Sequence, residues 1–194
     1  MNDRIKPGTV ETLSNGFINL TRHTIDYQRT DGTWQTLVRE IHDHGNAAAI
    51  LPVDWRRRTV LLVRQFRLPV HLSGEDGFLI EAIAGLLDGD APEICAAREA
   101  EEEAGVNVSN ITHAFTAFTS PGCITERTDF FLAEYDGAEA RGTGGGLAHE
   151  GEDIEVLELS LDDVLKMIGT GAIRDIKAIL LVQHAALLRT ARAT

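Results

Sequence analysis

GLLDGDAPEICAAREAEEEAGV, residues 85–106, contains the clearest helix pattern in the chain. Pro92 suits an early helical position, and alanine, glutamate and arginine dominate the residues that follow it. Gly105 suits the left-handed backbone conformation that often ends a helix. Apolar residues recur at helical spacing, at Ile94, Ala97, Ala100 and Ala104. We therefore predict a helix over residues 92–104 with one apolar face turned to a core.

Three carboxylates share one face of this predicted helix. Glu99, Glu102 and Glu103 lie at positions i, i+3 and i+4, which are neighbours on a helix surface. Each like-charged pair costs about 0.2–0.5 kcal/mol, so this face favours either solvent or bound cations. Carboxylates without EF-hand spacing suit Mg²⁺ or Mn²⁺ better than a Ca²⁺ cage. An acidic run alone is more often a solvated helix face, and both interpretations stay open at this point.

The flanking sequence alternates between strand and helix patterns. A β-like pattern runs from Thr9 to His42 and predicts an antiparallel meander. Residues 136–151, which include GTGGG, are predicted to be irregular and mobile. Further strands are predicted at residues 47–53, 59–66, 78–84, 111–118, 128–135 and 154–159, and further helices at 161–168 and 175–188. Strands before, between and after helices predict a layered α/β domain.

The composition excludes several classes of protein. The 18 Lys and Arg residues against 30 Asp and Glu residues give a net charge of −12, which argues against polymeric nucleic acid as a partner. No apolar run is long enough to cross a membrane, and the first residues lack the apolar segment of a signal peptide. Two cysteines are too few for a disulfide framework. We expect a cytoplasmic protein without a membrane partner.

The order of residues from Arg98 to Val106 resembles the Nudix box, G-x5-E-x7-R-E-U-x-E-E-x-G-U. Every position of this half matches, except that Ala100 is smaller than the usual bulky aliphatic residue. In the front half, Asp90 stands where the box has glutamate, and the loop from Gly85 is one residue short. Either Asp90 or Glu93 takes the place of the first box glutamate. Further strings extend the resemblance over nearly the whole chain to Nudix hydrolases of nucleoside diphosphate sugars: RQFR at 64–67, EAIAGLLD at 81–88, TSPG at 119–122 and EDIEVLEL at 152–159.

This resemblance implies an α/β fold: a Nudix α/β/α sandwich over residues 45–194, after an N-terminal antiparallel β extension over residues 1–44. It also implies a homodimer that exchanges these extensions. The implied reaction is the Mg²⁺-dependent hydrolysis of a nucleoside diphosphate sugar to a nucleoside monophosphate and a sugar phosphate, with Mn²⁺ as a substitute metal. GDP-mannose is the favoured substrate and ADP-ribose the next. Two alternatives stay open: a catalytically silent module that binds nucleotide sugars, and an acidic helix that serves as a protein-interaction surface.

The resemblance also implies roles for individual residues. The metal ligands are expected to be the carbonyl of Ala84 and the carboxylates of Glu99, Glu102, Glu103 and Glu152. Arg98 is expected to orient these carboxylates, and Glu152 to act as general base or additional ligand, with a plain surface acid as its alternative role. Substrate contacts are expected from Phe17, Arg39, Glu40, Arg67, Glu126 and Lys177. Relatives have a tyrosine at the position of Phe17, so stacking on a base is kept while a hydroxyl hydrogen bond is lost.

Overall fold

The computed structural model of the chain describes residues 3–139 and 141–192, which fall into two units. The first comprises the residues up to Asn46 together with Phe118–Arg127, and the second comprises Ala47–Ala117 together with the residues from Thr128. In the described parts of the chain, no helix combines the length and apolar composition needed to cross a membrane.

The first unit is built on a three-stranded antiparallel sheet. Its strands are β1 (Ile5–Asn15), β2 (Asn19–Gln28) and β3 (Trp34–Asp43), with β2 in the middle. The predicted meander is confirmed, although its first strand begins at Ile5 rather than Thr9. Phe17 lies in the turn between β1 and β2 instead of in a strand. Within these described strands no residue is buried, so the sheet has little core of its own.

The second unit is built on a seven-stranded mixed sheet. Its strands are β4 (Ala47–Asp54), β5 (Thr59–Phe66), β6 (Phe78–Glu81), β7 (Ile83–Leu86), β8 (Ser109–Phe118), β9 (Arg127–Glu134) and β10 (Glu155–Ser160). All eight residues of β4 are buried, as expected for a central strand. This strand runs parallel to β9 and antiparallel to β5 and β7. The order of the strands in the sheet is β10-β5-β4-β9-β8, in which β6 pairs with β5 and β7 with β4.

Helices cover both faces of this sheet. They are α1 (Leu68–Leu72), α2 (Pro92–Ala104), α3 (Leu161–Thr170) and α4 (Ile176–Arg192). Side chains alternate along β4, so that Ala48 and Ile50 pack in the cluster beneath α2, while Ala49 and Leu51 pack in the cluster that contains residues of α3 and α4. The predicted α/β/α sandwich is therefore confirmed. The short helix α1 was not expected from the sequence.

The strand predicted over residues 78–84 is wrong as a single element, because the chain changes neighbours at Ala82. Before that residue β6 pairs with β5, and after it β7 pairs with β4. The N–H of Ala82 donates to Oδ2 of Asp175 at 3.2 Å. Asp175 therefore holds the backbone at the break with a side-chain hydrogen bond, which no strand pattern encodes.

Candidate active site

The carboxylate face of α2 turns toward the sheet rather than toward solvent. Glu103 is 1% exposed and Glu99 is 8% exposed, whereas Glu102 is half-buried and Glu101 is exposed. Helix α2 has the predicted bounds, and Gly105 ends it with a φ of +67°. The interpretation of this run as a solvated helix face is therefore wrong for Glu99 and Glu103. Buried carboxylates are costly unless they are paired, hydrogen-bonded or bound to a cation.

Glu103 carries the clearest sign of a missing partner. Its Oε2 atom is buried, and among the described residues it has no hydrogen-bond partner. Burial, together with the charges of Glu99 and Glu152, holds the pKa of Glu103 well above its usual value, although the N–H of Ala84 and the charge of Arg67 act in the opposite direction. These residues therefore surround one buried carboxylate with two further carboxylates and one strand backbone.

The strand and the helix approach each other closely at this point. A Cβ atom placed on Gly85 would overlap the carboxylate of Glu99. The absence of a side chain at Gly85 therefore lets the carboxylate of Glu99 lie against the backbone of β7. Glycine is suited to such close approaches to backbone.

Arg98 binds several of the surrounding carboxylates. Its Nη1 atom lies 2.9 Å from Oε1 of Glu99 and 2.9 Å from Oε2 of Glu102. Its Nε atom lies 3.6 Å from Oδ2 of Asp90. Of the two residues considered for the first box glutamate, Asp90 thus contacts the arginine. The shorter aspartate at this position still reaches Arg98.

The oxygen donors here suit a hard divalent cation. Glu99, Glu103, Glu152 and the Ala84 carbonyl offer oxygen atoms only, and Oε2 of Glu103 is buried and unpaired among the described residues. In the same described residues, no three His, Cys, Asp or Glu side chains already form a cluster that could hold a metal. The carboxylates of Glu99 and Glu102 face Arg98 instead. The residue types and the buried oxygen fit a divalent cation, while the side-chain orientations are those of an ion-paired cluster.

The glycine-rich segment is bound to the end of α2. The N–H of Gly145 donates to the carbonyl of Glu103 at 2.9 Å, and the N–H of Gly146 donates to the carbonyl of Glu102 at 3.1 Å. These bonds satisfy carbonyls that the last turn of a helix leaves unpaired. A few residues later, Oε2 of Glu152 accepts the N–H of Leu147 at 2.8 Å. Apart from a 3₁₀ turn at Ala148–Glu150, the described residues of the segment are irregular, as predicted, and the segment connects Glu152 to the helix that carries Glu103.

A second group of charges lies beside this cluster. Arg67 donates from Nε and Nη2 to the two carboxylate oxygens of Glu81, at 2.9 and 2.8 Å. Lys177 donates to Oδ1 of Asp175 at 2.9 Å and lies 3.9 Å from Oε2 of Glu81. No sequence pattern predicts a role for Glu81 or Asp175. The signal available for Glu81 was an acid between apolar residues in a predicted buried strand.

The remaining predicted substrate contacts belong to the first unit. Phe17 is 85% exposed, Nη1 of Arg39 donates to the carbonyl of Val38, and Glu40 pairs with Arg22 at 2.8 Å. Glu126 is held from both sides: His44 Nε2 lies 2.9 Å from its Oε2, and the Thr119 hydroxyl donates to its Oε1 at 3.0 Å. Their contact with a substrate stays a prediction.

Comparisons with known proteins place these features in context. Residues 4–42 match the family model of the GDP-mannose pyrophosphatase NudK N-terminal domain, and residues 43–185 match the NUDIX domain. The chain is 44% identical to the GDP-mannose pyrophosphatase of Cronobacter sakazakii over 89% of this chain and 90% of that protein. It is 45% identical to the enzyme of the same name from Pectobacterium atrosepticum, over 89% of each chain. A crystal structure of an ADP compounds hydrolase has the same fold, with a TM-score of 0.72, 15% identity and coverage of 98% of this chain and 96% of that one.

Proposed function

The chain belongs to the Nudix hydrolase family, and from this premise we propose that it hydrolyses the diphosphate bond of a nucleoside diphosphate sugar, with GDP-mannose favoured over ADP-ribose. The products are a nucleoside monophosphate and a sugar phosphate. The observation that carries the proposal is the buried Oε2 of Glu103, which has no hydrogen-bond partner in the part of the chain that the structure describes and lies among further carboxylates and beside Arg67.

The proposed roles are those that the resemblance to Nudix hydrolases implies, and the burial of Glu99 and Glu103 supports them. Mg²⁺, with Mn²⁺ as a substitute, is held by Glu99, Glu102, Glu103, Glu152 and the Ala84 carbonyl. When bound, such a cation polarises phosphoryl oxygens and lowers the pKa of the attacking water. Arg98 orients Glu99 and Glu102, to which it is hydrogen-bonded or ion-paired. Glu152 takes the proton of the attacking water, and its tether to α2 through the glycine-rich segment keeps it within reach of that site.

The cations of the second unit bind the substrate. The charge of Arg67 acts on Glu103, Lys177 lies 3.9 Å from Glu81, to which Arg67 is bound, and the two cations carry the positive charge that two phosphate groups need. Phe17 stacks on the nucleotide base, and Arg39, Glu40 and Glu126 make further contacts with the nucleotide. The match of residues 4–42 to an N-terminal domain named for GDP-mannose pyrophosphatase supports a recognition role for the first unit.

We also propose a cytoplasmic homodimer that exchanges the sheets of residues 1–44. A three-stranded sheet needs a packed apolar face for independent stability, and the described strands bury no residue, so a second copy would supply the apolar burial that the sheet lacks. Val10, Phe17 and Val38 are large apolar residues exposed on this unit. Size-exclusion chromatography with light scattering should give twice the mass of one chain, and a mass of one chain at micromolar concentration contradicts the dimer.

A substrate panel tests the proposed reaction. GDP-mannose, ADP-ribose, other nucleoside diphosphate sugars and dinucleotides are incubated with Mg²⁺, and release of the monophosphate is followed. We expect the largest kcat/KM for GDP-mannose. The alternative, a silent binding module, predicts binding of a nucleotide sugar with no monophosphate release at any Mg²⁺ concentration. The burial of Glu99 and Glu103, with Oε2 of Glu103 left without a hydrogen-bond partner among residues 3–139 and 141–192, favours the enzyme.

Replacing Gly85 with Ala should weaken Mg²⁺ binding without unfolding the protein. The added Cβ overlaps the Glu99 carboxylate, so this side chain must move away from its place on β7. Displacing one ligand should lower Mg²⁺ affinity by about 10- to 100-fold, measured by calorimetric titration.

Gly169→Ala is the matched control for this substitution. Gly169 lies within α3, and a Cβ placed there meets nothing within 4 Å. Alanine also has the higher helix propensity, so this variant should bind Mg²⁺ like the wild type and be slightly more stable. Equal Mg²⁺ affinity of Gly85→Ala and Gly169→Ala contradicts a metal role for Glu99.

A further inference from the structure

The buried carboxylate of Glu81 lies between the two cations assigned to the substrate. It is 2% exposed, and its two oxygens accept the Nε and Nη2 groups of Arg67. On its other side, Nζ of Lys177 lies 3.9 Å from Oε2. One carboxylate thus stands within ion-pair distance of both cations.

The arrangement leaves each cation able to bind a further anion. Arg67 uses Nε and Nη2 for Glu81, and among the described residues its Nη1 makes no hydrogen bond. Its side chain is 42% exposed although its partner is buried. Lys177 is fixed by Asp175 at 2.9 Å, and an ammonium group has further N–H donors to offer.

Holding two cations side by side needs a compensating charge. Arg67 and Lys177 repel each other, and both side chains lose rotamer freedom when they are fixed. A buried carboxylate bound bidentately sets the plane of the guanidinium and keeps it fixed. Asp175 in turn holds Lys177 and also accepts the N–H groups of Ala82 and Ala178 at 3.2 and 3.0 Å, so the group is tied to the backbone at the break between β6 and β7.

We propose that Glu81 is a positioning residue that holds Arg67 and Lys177 together as a two-cation receptor for a diphosphate group. The inference rests on the proposed function, because it concerns the same site. It gives Glu81 no contact with the substrate. A carboxylate near an anion site weakens anion binding by its charge alone, so its effect through the two cations must outweigh that repulsion.

The charge of Glu81 weakens anion binding, whereas its positioning of the two cations strengthens it. The substitution Glu81→Gln therefore distinguishes the two effects by the direction in which anion affinity changes. The probe is imidodiphosphate, whose bridging nitrogen resists hydrolysis, titrated calorimetrically in the presence of Mg²⁺. Positioning predicts that Glu81→Gln binds the probe about tenfold more weakly and lowers kcat/KM for GDP-mannose by a similar factor. Tighter binding of the probe would mean that only the charge of Glu81 matters. Unchanged binding with a lower Tm would mean a purely structural role. Either result overturns the proposal.

Glu75→Gln is the matched control. Glu75 also accepts two hydrogen bonds from one arginine, Arg174, at 2.8 and 3.2 Å, but both side chains are 47% exposed. The same chemical change at this exposed pair should leave probe affinity and kcat/KM unchanged. An equal loss in both variants contradicts a specific role for Glu81.

A double-mutant cycle separates action through Arg67 from other effects. In an Arg67→Met background, Glu81→Gln should change probe affinity by less than about threefold, because the two hydrogen bonds to Arg67 are gone and only the longer 3.9 Å contact with Lys177 remains. An undiminished tenfold effect in that background overturns the proposal.

If Glu81→Gln does not fold, Glu81→Asp keeps the charge but shortens its reach, and it should still weaken binding of the probe. Wild-type probe affinity in that variant is contrary to the inference. If the wild type hydrolyses no nucleotide sugar, the proposed function fails, while the imidodiphosphate titration still decides the role of Glu81.

Discussion

Replacing Glu103 with Gln should lower kcat by about 10²- to 10³-fold while the protein stays folded. Glutamine is nearly isosteric, so the packing under α2 is retained, but its neutral oxygen is a poor ligand for a divalent cation. Oε2 of Glu103 is buried and has no hydrogen-bond partner among the described residues, so no described donor already occupies the oxygen that the proposal assigns to the cation. Initial rates at saturating GDP-mannose and Mg²⁺ measure the effect.

The same substitution should stabilise the metal-free protein. Burial, with Glu99 and Glu152, raises the pKa of Glu103 above its value in the unfolded chain. A carboxyl group of this kind favours the folded state fully below the unfolded pKa, and the benefit is lost as the pH rises through the folded pKa. Over that range the metal-free wild type should lose stability relative to Glu103→Gln, as measured by Tm against pH in EDTA. Binding of Mg²⁺ should strengthen over the same range and release a proton.

Glu101→Gln is the control for both measurements. Glu101 lies on the same helix but is exposed, so the same chemical change should leave kcat and the pH dependence of Tm as in the wild type. Near-full turnover by Glu103→Gln contradicts the metal assignment.

Replacing Glu152 with Gln should lower kcat by about 10²- to 10⁴-fold, the usual contribution of a general base, with little change in substrate affinity. Glu152 is linked to α2 through the glycine-rich segment, and its carboxylate accepts the N–H of Leu147 at 2.8 Å. Glutamine can accept the same bond, so the segment should keep its place while the ability to take a proton is lost. Single-turnover rates against pH measure the effect.

Asp153→Asn is the control for Glu152→Gln. Asp153 is the next acid along the chain and is exposed, so its neutral variant should turn over at the wild-type rate. If Glu152→Gln also turns over normally, Glu152 is not the base and the alternative of a surface acid is correct.

The local sequence pattern was sufficient to predict the helix and the strands that surround the site. The bounds of α2 follow from Pro92 and Gly105, which restrict the backbone whatever packs around them. The apolar runs of β4 and β5 predict central strands because only a sheet covered on both faces buries every residue. The order of acids on α2 was enough to select Glu99 and Glu103, which the fold buries, together with Glu102, which is half-buried.

Other features depend on long-range contacts that no local pattern encodes. The break at Ala82 exists because Asp175, far along the chain, accepts its N–H. The contacts of Glu81 with Arg67 and of His44 with Glu126 join residues that are distant in the sequence. Residues 118–127 join the first unit through backbone bonds of His42 to Cys123 and Thr125, a contact between distant parts of the chain that the local sequence does not indicate.

The most direct test of a metal-dependent nucleotide-sugar hydrolase is the release of GMP from GDP-mannose as a function of free Mg²⁺ after treatment with EDTA. The carboxylates of α2 predict no release without metal, a saturable recovery as Mg²⁺ is added, and equal amounts of GMP and mannose phosphate. Release that persists in EDTA, or no release at any Mg²⁺ concentration, would contradict this function.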